Sequence, residues 1–588
     1  MKNQEYIVWD IETAGIGMDK DFICGVLYIP TRTALIYDDA KEFLFDLISE
    51  IGELPICGHN IVCFDLPYLC YWEQKHTKSS ELLDALHGAG PEIWDTLIMS
   101  RKAFPAKQNH SLDMWGQQLQ GEYKLSLKTE VQDFTDASPE NIKLIKERCK
   151  NDVKINWAVM DYILNNFGIG GIPDYAADMK MFPMFAEILS TGLPYDTEEA
   201  KRVADKLEVT TYIPGNRLKR AAPAVNFNSN TQVDKWLKHK YGTGLPKTEK
   251  GNAKMNKDNK EELCQQFPVL FDHFAVKQVV STLKYISPAF LKTPTDSKTY
   301  MGNYLHHNER LDHKCVYPSF SYIGTRTGRG QYAAPAIQQM SKAAREVITA
   351  PTGWLWIGMD IIGLELAWFA WLCKELCGNT VVWEQIQRGE SAKKLTLEAF
   401  DEVMGKVVLY GVQTREDVAK TITYSCLYGI GVGTLCRRLN LPDTKANKDK
   451  IKKCIEARFP AMEELNYSMR RNMGDTQYIT DYFGRKVITE KWKCLNAFIQ
   501  SSGAAYSLRM MHTFWQEWKA DYGEDVVACL YQMDEIGLLC RTSRSIKAME
   551  KIAQEITADV ERDFVKKWDC PLIARCNTQV GHTWKEGH

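Results

Sequence analysis

Three stretches of this chain set carboxylates among large apolar residues: "EYIVWDIET" near the start, "WLWIGMDIIGLELAWFAW" past the middle and "YQMDEIGLL" near the end. Their continuous apolar runs, rich in β-branched and aromatic types, read as β-strands. Asp10 and Glu12 follow Tyr6, Ile7, Val8 and Trp9 and stand two apart, so on a strand they project from one face. Asp360 ends the second run, and Asp534 with Glu535 separates two apolar runs, as at the tip of a hairpin. Unpaired buried charge is strongly unfavourable. Any fold of this sequence must therefore neutralise two acidic centres, and hard cations such as Mg²⁺ take carboxylate oxygens.

Composition narrows the partners. The 588 residues suggest roughly four domain-sized units. Apolar residues are 45% and charged residues 25%, an ordinary globular balance able to bury sizeable cores. Lys plus Arg number 73 against 75 acids, which argues against a uniformly basic nucleic-acid binder but leaves room for local basic strips. The 17 cysteines are scattered and odd in number, as in a reducing compartment. Cys373 and Cys377 have no second pair at zinc spacing and read as core thiols on a helix. There is no signal-peptide pattern and no apolar run of the ~20 residues that a membrane span needs. The expectation is a cytoplasmic protein, not secreted and not membrane-bound.

Periodicity organises the rest. "FICGVLYI" and "TALIYDD" read as two further strands, and "PENIKLIKERCKNDVKINWAVMDYILNNF" as one long helix. It runs into "GIGGIP", residues 168–173, the best domain boundary in the chain. Residues 175–300 read as mostly helical. They carry a glycine-punctuated lysine stretch with Lys235, Lys238, Lys240, Lys247, Lys250, Lys254, Lys257 and Lys260, either a solvated loop or a flexible arm touching phosphates. A helical middle is expected over about 380–480. Within it Thr414 and Asp417 form a capping-box pattern, and Lys420, Tyr424 and Tyr428 then share one helix face. Gly429, Gly431 and Gly433 follow that helix and read as its end rather than as a dinucleotide loop.

Three N-terminal motifs in order, D-x-E at Asp10 and Glu12, "GHNIVCFDLPYL" with Asp65, and a helical Asp152, resemble the proofreading 3′–5′ exonuclease domain of DNA polymerases. "HSLDMWGQQL" is similar to the phage version. The resemblance implies that Asp10, Glu12, Asp65 and Asp152 bind two metals that activate a water against a phosphodiester. The family usually carries a tyrosine four residues before the last Asp. Arg148 stands there, and four-residue spacing should set it beside Asp152, able to pair with the carboxylate or to hold a phosphate.

The later motifs resemble family A DNA polymerases, most closely the phage branch. "MDIIGLELA", "AKTITYSCLYG" and "MDE" are similar to its motifs A, B and C. "TGRGQYAAPAIQQM", "FNSNTQVDKWL", "TGLPKTEKG" and "LNAFIQSSGA" are similar to its minor-groove, thumb and template-side elements. The resemblance implies an α/β (α+β) architecture. An RNase H-like exonuclease domain (1–170) precedes a right-hand polymerase domain (171–588), with thumb about 186–300, fingers about 381–479, and palm about 301–380 and 480–588.

The resemblance also implies roles. Asp360 and Asp534 hold two Mg²⁺, for which Mn²⁺ can substitute, and Glu535 supports the metal or the primer end. Lys420 binds the triphosphate, Tyr424 stacks on the incoming nucleotide and Glu365 rejects ribonucleotides. Tyr428 and Gly429 close the template side, and Arg329, Gln338, Asn496 and Gln500 contact DNA. Several positions depart from the family. Glu416 stands where an Arg normally precedes the helix lysine; Arg415, one residue earlier, is counted with Lys420, Tyr424, Glu365 and Lys393 as nucleotide-binding, although its spacing should point it away from Lys420. Ala392 replaces a His, with Lys393 beside it as a substitute phosphate contact. Met533 replaces another His and Ala367 an Arg.

The function expected is primer extension with dNTPs on a DNA template, with proofreading, in replication of a phage genome. A replicative helicase-primase is a candidate partner, no thioredoxin dependence is expected because the thumb lacks a large insertion, and the chain is expected to be a monomer. Two other readings compete. A single-subunit RNA polymerase shares the palm chemistry, but Glu365 and the exonuclease motifs speak against it. A polymerase-shaped DNA-binding protein with decayed sites would explain positions 148, 392, 416 and 533.

Overall fold

The computed structural model of the protein describes residues 5–15, 17–28, 34–88, 92–123, 131, 133–227, 229–248, 251–255, 260–287, 301–405, 414–439, 441–572 and 574–587. It has the mixed α/β architecture expected. Near the N-terminus, the strands Ile7–Thr13, Phe22–Tyr28 and Ala34–Tyr37 pair antiparallel, and Ile56–Gly58 and Ile93–Asp95 extend the sheet in parallel on the other side of Ile7–Thr13. Ile7–Thr13 is therefore central. Its first three residues are fully buried, and beyond them burial alternates, so that Ile11 and Thr13 are buried while Asp10 and Glu12 share the more open face.

The helix Pro139–Asn166 packs on Ile7–Thr13 and Phe22–Tyr28. Ser138 caps it by accepting from the Asn141 N–H, and Pro139 begins it, where a missing N–H does no harm. The glycine-rich boundary is a single 3₁₀ turn, Ile169–Gly171, leading into the largely buried helix Tyr175–Thr191. It is a joint rather than a loose linker. Asp178 is ion-paired with Lys102, and Asp174 with Arg509 of the long helix Cys494–Tyr522. Arg101 donates to Ser321 Oγ at 2.9 Å and to the Ile323 carbonyl at 2.8 Å. One continuous apolar core runs from the N-terminal sheet into the C-terminal one.

That second sheet is antiparallel, in the order Val526–Gln532, Glu535–Arg541, Trp354–Ile362, Arg575–Gly581. Its register sets Asp360 opposite both Glu535 and Asn577. The helices Ala392–Met404, Arg415–Leu427, Val432–Arg438, Lys445–Arg458 and Met462–Met473 fill the expected helical middle. Thr414 and Asp417 form the capping box, and Gly429, at φ +67°, follows the end of Arg415–Leu427 as anticipated. Cys373 is a buried thiol on the helix Leu364–Cys377.

Helices Thr197–Ala221 and Val269–Ile286 pack along each other below a small knob with its own core, built on Val233, Leu237, Leu245, Leu263, Phe267 and Leu270. The lysine stretch belongs to this folded knob. Lys238 and Lys247 pair with Asp234 at 3.1 and 2.6 Å, and Lys240 lies over the Trp236 ring. Lys250 and Lys257 lie outside the described residues. Among the described residues no helix is long and apolar enough to cross a membrane.

Candidate active sites

The N-terminal centre is assembled from a strand and two helices. Ile7–Thr13 supplies Asp10 and Glu12, Pro139–Asn166 supplies Asp152, and Asp65 begins the helix Asp65–Thr77. Carboxylate oxygens of Asp10, Glu12 and Asp152 lie within 4.8 Å of one another, while Asp65 falls outside that trio. Burial, and then the neighbouring charge of Asp65, raises the Asp10 carboxyl well above its usual range. Asp65 is pushed up to about 8, mainly by burial, with Asp95 and Glu12 adding to it. Such crowded hard oxygen donors fit a divalent cation. Arg148 lies beside Asp152 as its spacing predicts, with Nε 3.5 Å from Asp152 Oδ2, and it also reaches Glu12 Oε1 at 3.1 Å.

The C-terminal centre lies at a hairpin tip. Gln532 and Glu535 pair across a two-residue turn of Met533 and Asp534. Met533 has φ +56°, an uncommon conformation for a side chain of its size and one that the sequence did not announce. The Asp534 carbonyl accepts the Ile361 N–H at 3.0 Å, which fastens the tip to the strand carrying Asp360. Burial, and then Glu365, raises the Asp534 carboxyl to about 6.

A cleft of about 670 Å³ opens here. Asp360, Asp534, Glu365, Lys393, Lys420 and Tyr424 all line it. Burial, and then Glu365, pushes the Tyr424 phenol up to about 12. The Tyr424 and Tyr428 rings lie 6.0 Å apart, successive turns of one face. Two carboxylates facing a lysine and an aromatic ring suit a cation-bound phosphate chain with a base attached.

Other expected residues are placed differently. Arg415 turns away, as its spacing predicted, and pairs with Asp401, so it is not in the cleft. Lys393 pairs with Glu416, which also lies 3.8 Å from Lys420; the glutamate joins the two lysines. Glu535 is 2% exposed and absent from the cleft lining. Its Oε1 accepts from Trp584 Nε1 at 2.6 Å, and Arg345 lies 4.0 Å from Oε2.

Arg329 donates to Glu365 Oε1 at 3.0 Å. Gln338 is held in its own loop, accepting from the Tyr332 N–H at 3.4 Å and donating to the Gly330 carbonyl at 3.2 Å. Gln500 accepts from Thr327 Oγ1 at 3.5 Å. Asn496 lines a separate cleft of about 540 Å³ with Arg326, Lys491 and Lys493. Sequence reasoning missed Arg575 and Asn577, which also line the main cleft. Their two-residue spacing within "ARCNTQVG" put them on one strand face, but nothing in that short run marks its sheet neighbour.

The DNA polymerase I of Aquifex aeolicus (strain VF5) is 21% identical over 608 residues, covering 97% of this chain and 96% of that protein. The DNA polymerase I of Chloroflexus aurantiacus (strain ATCC 29366 / DSM 635 / J-10-fl) is 21% identical over 455 residues, and the match covers 70% of this chain but 43% of that longer protein. Both relatives are bacterial. In fold, the chain is similar to the POL domain of Pol1 from M. smegmatis in complex with DNA primer-template and dNTP, with a TM-score of 0.71 at 15% identity over 99% of this chain and 96% of that one. The model for DNA polymerase family A matches residues 197–586, which takes in every residue of the main cleft: the chain belongs to DNA polymerase family A, the template-directed DNA polymerases.

Proposed function

We propose that the main cleft extends a DNA primer 3′ end with dNTPs by two-metal nucleotidyl transfer. The observation that carries this reading is the shared cleft: Asp360 on its strand and Asp534 at the hairpin tip, fastened by the Ile361–Asp534 hydrogen bond, face Lys420 and Tyr424. Asp360 and Asp534 would hold two Mg²⁺, which supply electrostatic stabilisation of the α-phosphate and a more acidic 3′ hydroxyl. Lys420 binds the triphosphate and gives its proton to the departing pyrophosphate. Lys393, joined to Lys420 through Glu416, supplies a second phosphate contact at the rim. Tyr424 stacks on the incoming nucleotide. Glu365, anchored by Arg329, crowds the 2′ position of its sugar. Tyr428 and Gly429 close the template side.

The N-terminal centre is read as a 3′–5′ exonuclease that proofreads. Asp10, Glu12, Asp65 and Asp152 are its cation ligands, and the clustering of the Asp10, Glu12 and Asp152 carboxylates supports it. The primer-template DNA and dNTP named for the M. smegmatis complex are the substrates proposed for this chain. Replication of a phage genome, as a cytoplasmic monomer beside a helicase-primase and without thioredoxin, is the biological setting that the phage-like "HSLDMWGQQL" supports.

One labelled hairpin primer tests both activities. With Mg²⁺ and dNTPs it should lengthen, and without dNTPs it should shorten. Asp360→Ala should abolish the first and Asp10→Ala the second. Failure of the unaltered protein to extend overturns the polymerase mechanism, and degradation surviving Asp10→Ala overturns the exonuclease assignment.

A further inference from the structure

In the N-terminal acidic centre a side chain of the protein stands where a cation is expected. Arg148 Nε lies 3.1 Å from Glu12 Oε1 and 3.5 Å from Asp152 Oδ2. The two carboxylates come from different elements, the strand Ile7–Thr13 and the helix Pro139–Asn166, and the guanidinium bridges them. Helix geometry fixes one end of this bridge, because Arg148 is one turn before Asp152 on the same face. Phe134 walls the other side, its ring centre 5.0 Å from the guanidinium carbon. The Arg148 side chain is 21% exposed and those of Glu12 and Asp152 are 13% and 11%, so solvent screens these pairs weakly.

A guanidinium stays protonated at any working pH, so this positive charge is permanent. A Mg²⁺ held by both Glu12 and Asp152 at about 2.0–2.1 Å would lie in direct repulsion with it. Among the described residues Arg148 makes no ion pair with Asp10 or Asp65. Asp10 stands beside the bridged pair: one carboxylate oxygen each of Asp10, Glu12 and Asp152 lie within 4.8 Å of one another. The centre therefore holds two carboxylates bridged by the chain's own cation and a third, Asp10, next to them.

We infer that Arg148 replaces one of the two cations, so that this centre takes a single divalent ion, with Asp10 among its ligands and the guanidinium as its second positive charge. The inference rests on the exonuclease reading. The reaction needs no further component: a water oxygen bonds to phosphorus, the P–O3′ bond breaks, and the proton lost by the water ends on the released 3′ oxygen. The guanidinium can donate to a non-bridging oxygen of the same phosphate.

The test counts bound Mn²⁺ by electron paramagnetic resonance in the full chain carrying Asp360→Asn and Asp534→Asn, which removes the main-cleft ligands. One ion is expected on this background, none when Asp10→Asn is added, and two when Arg148→Gln is added. Arg148→Met is the second variant should Arg148→Gln melt early by circular dichroism, and it too should give two. A count of two with Arg148 in place, or a count that neither Arg148 variant raises above one, overturns the inference and leaves the exonuclease reading standing. No ion with or without the Arg148 variants overturns both.

Discussion

The Ile361 N–H donates to the Asp534 carbonyl at 3.0 Å, so a backbone hydrogen bond joins the hairpin tip to the Asp360 strand. Replacing either acid should spare the fold. Asp360→Asn and Asp534→Asn are each expected to lower primer extension by about a thousandfold, the scale of losing several kcal/mol of cation-borne stabilisation. Thermal denaturation should show a midpoint no lower than that of the unaltered protein. A large loss of stability with either variant would show that the acids hold the tip.

Asp534 also predicts a pH dependence. Its carboxyl is raised to about 6, by burial first and Glu365 second. A raised acid keeps its proton up to that pH, and a proton excludes a cation from the same oxygens. The Mg²⁺ concentration for half-maximal extension should rise as pH falls below about 6 and stay level above neutrality. Titrations at several pH values, with Asp10→Ala present to remove degradation, would show it.

Lys393 and Glu416 predict a split between binding and chemistry. Lys393→Ala should raise the KM for dNTPs on the order of tenfold, one charge-assisted contact, with a smaller change in kcat. Glu416→Gln frees both lysines from a competing carboxylate and should lower KM. Both groups are exposed, so neither change should move the melting temperature noticeably. Equal losses in kcat and kcat/KM for Lys393→Ala would place that lysine in the transition state instead.

Glu365→Ala should raise ribonucleotide incorporation by roughly 10–100-fold, because a pocket wall discriminates modestly by volume. It also releases Arg329 from its 3.0 Å contact. Single-nucleotide incorporation of dNTP against NTP measures the ratio, and an unchanged ratio would remove Glu365 from sugar selection.

Glu187 predicts an acid-sensitive joint. It is 0% exposed, 2.7 Å from Lys519 and 3.7 Å from Arg310, and accepts from Trp515 Nε1 at 2.8 Å and the Ala528 N–H at 3.0 Å. Burial favours its neutral form, but Lys519, His87 and Arg310 outweigh that and hold it down to about 2. A depressed carboxyl stabilises the folded chain above its ordinary value of 4.5, and that stability fades as pH falls toward 2. Glu187→Ala should destabilise by about 3–5 kcal/mol, as when one partner of a buried pair is removed. Acid denaturation curves should then lose part of their slope below pH 4.5.

The sequence was most legible where local rules act alone. The Thr414–Asp417 cap, the strand that sets Asp10 and Glu12 on one face and the four-residue spacing of Arg148 and Asp152 each depend on a few neighbours in the chain. Pairings across the fold were not legible. That Arg148 also reaches Glu12, that Glu416 joins Lys393 to Lys420 and that Trp584 holds Glu535 all depend on distant segments meeting. Arg345 is the same kind of case: its guanidinium lies 4.3 Å from the Trp584 ring centre, far from it in sequence. The ion pairs of Lys238 and Lys247 with Asp234 were illegible for a related reason, since they depend on how that stretch folds back on itself.

The knob around Val233, Leu237 and Phe267 closes its apolar side chains upon themselves, apart from the large core that supports both acidic centres. Such a self-contained unit can tilt or melt without uncovering the rest. Local opening there is expected to leave the ångström-scale geometry of the two carboxylate centres unchanged.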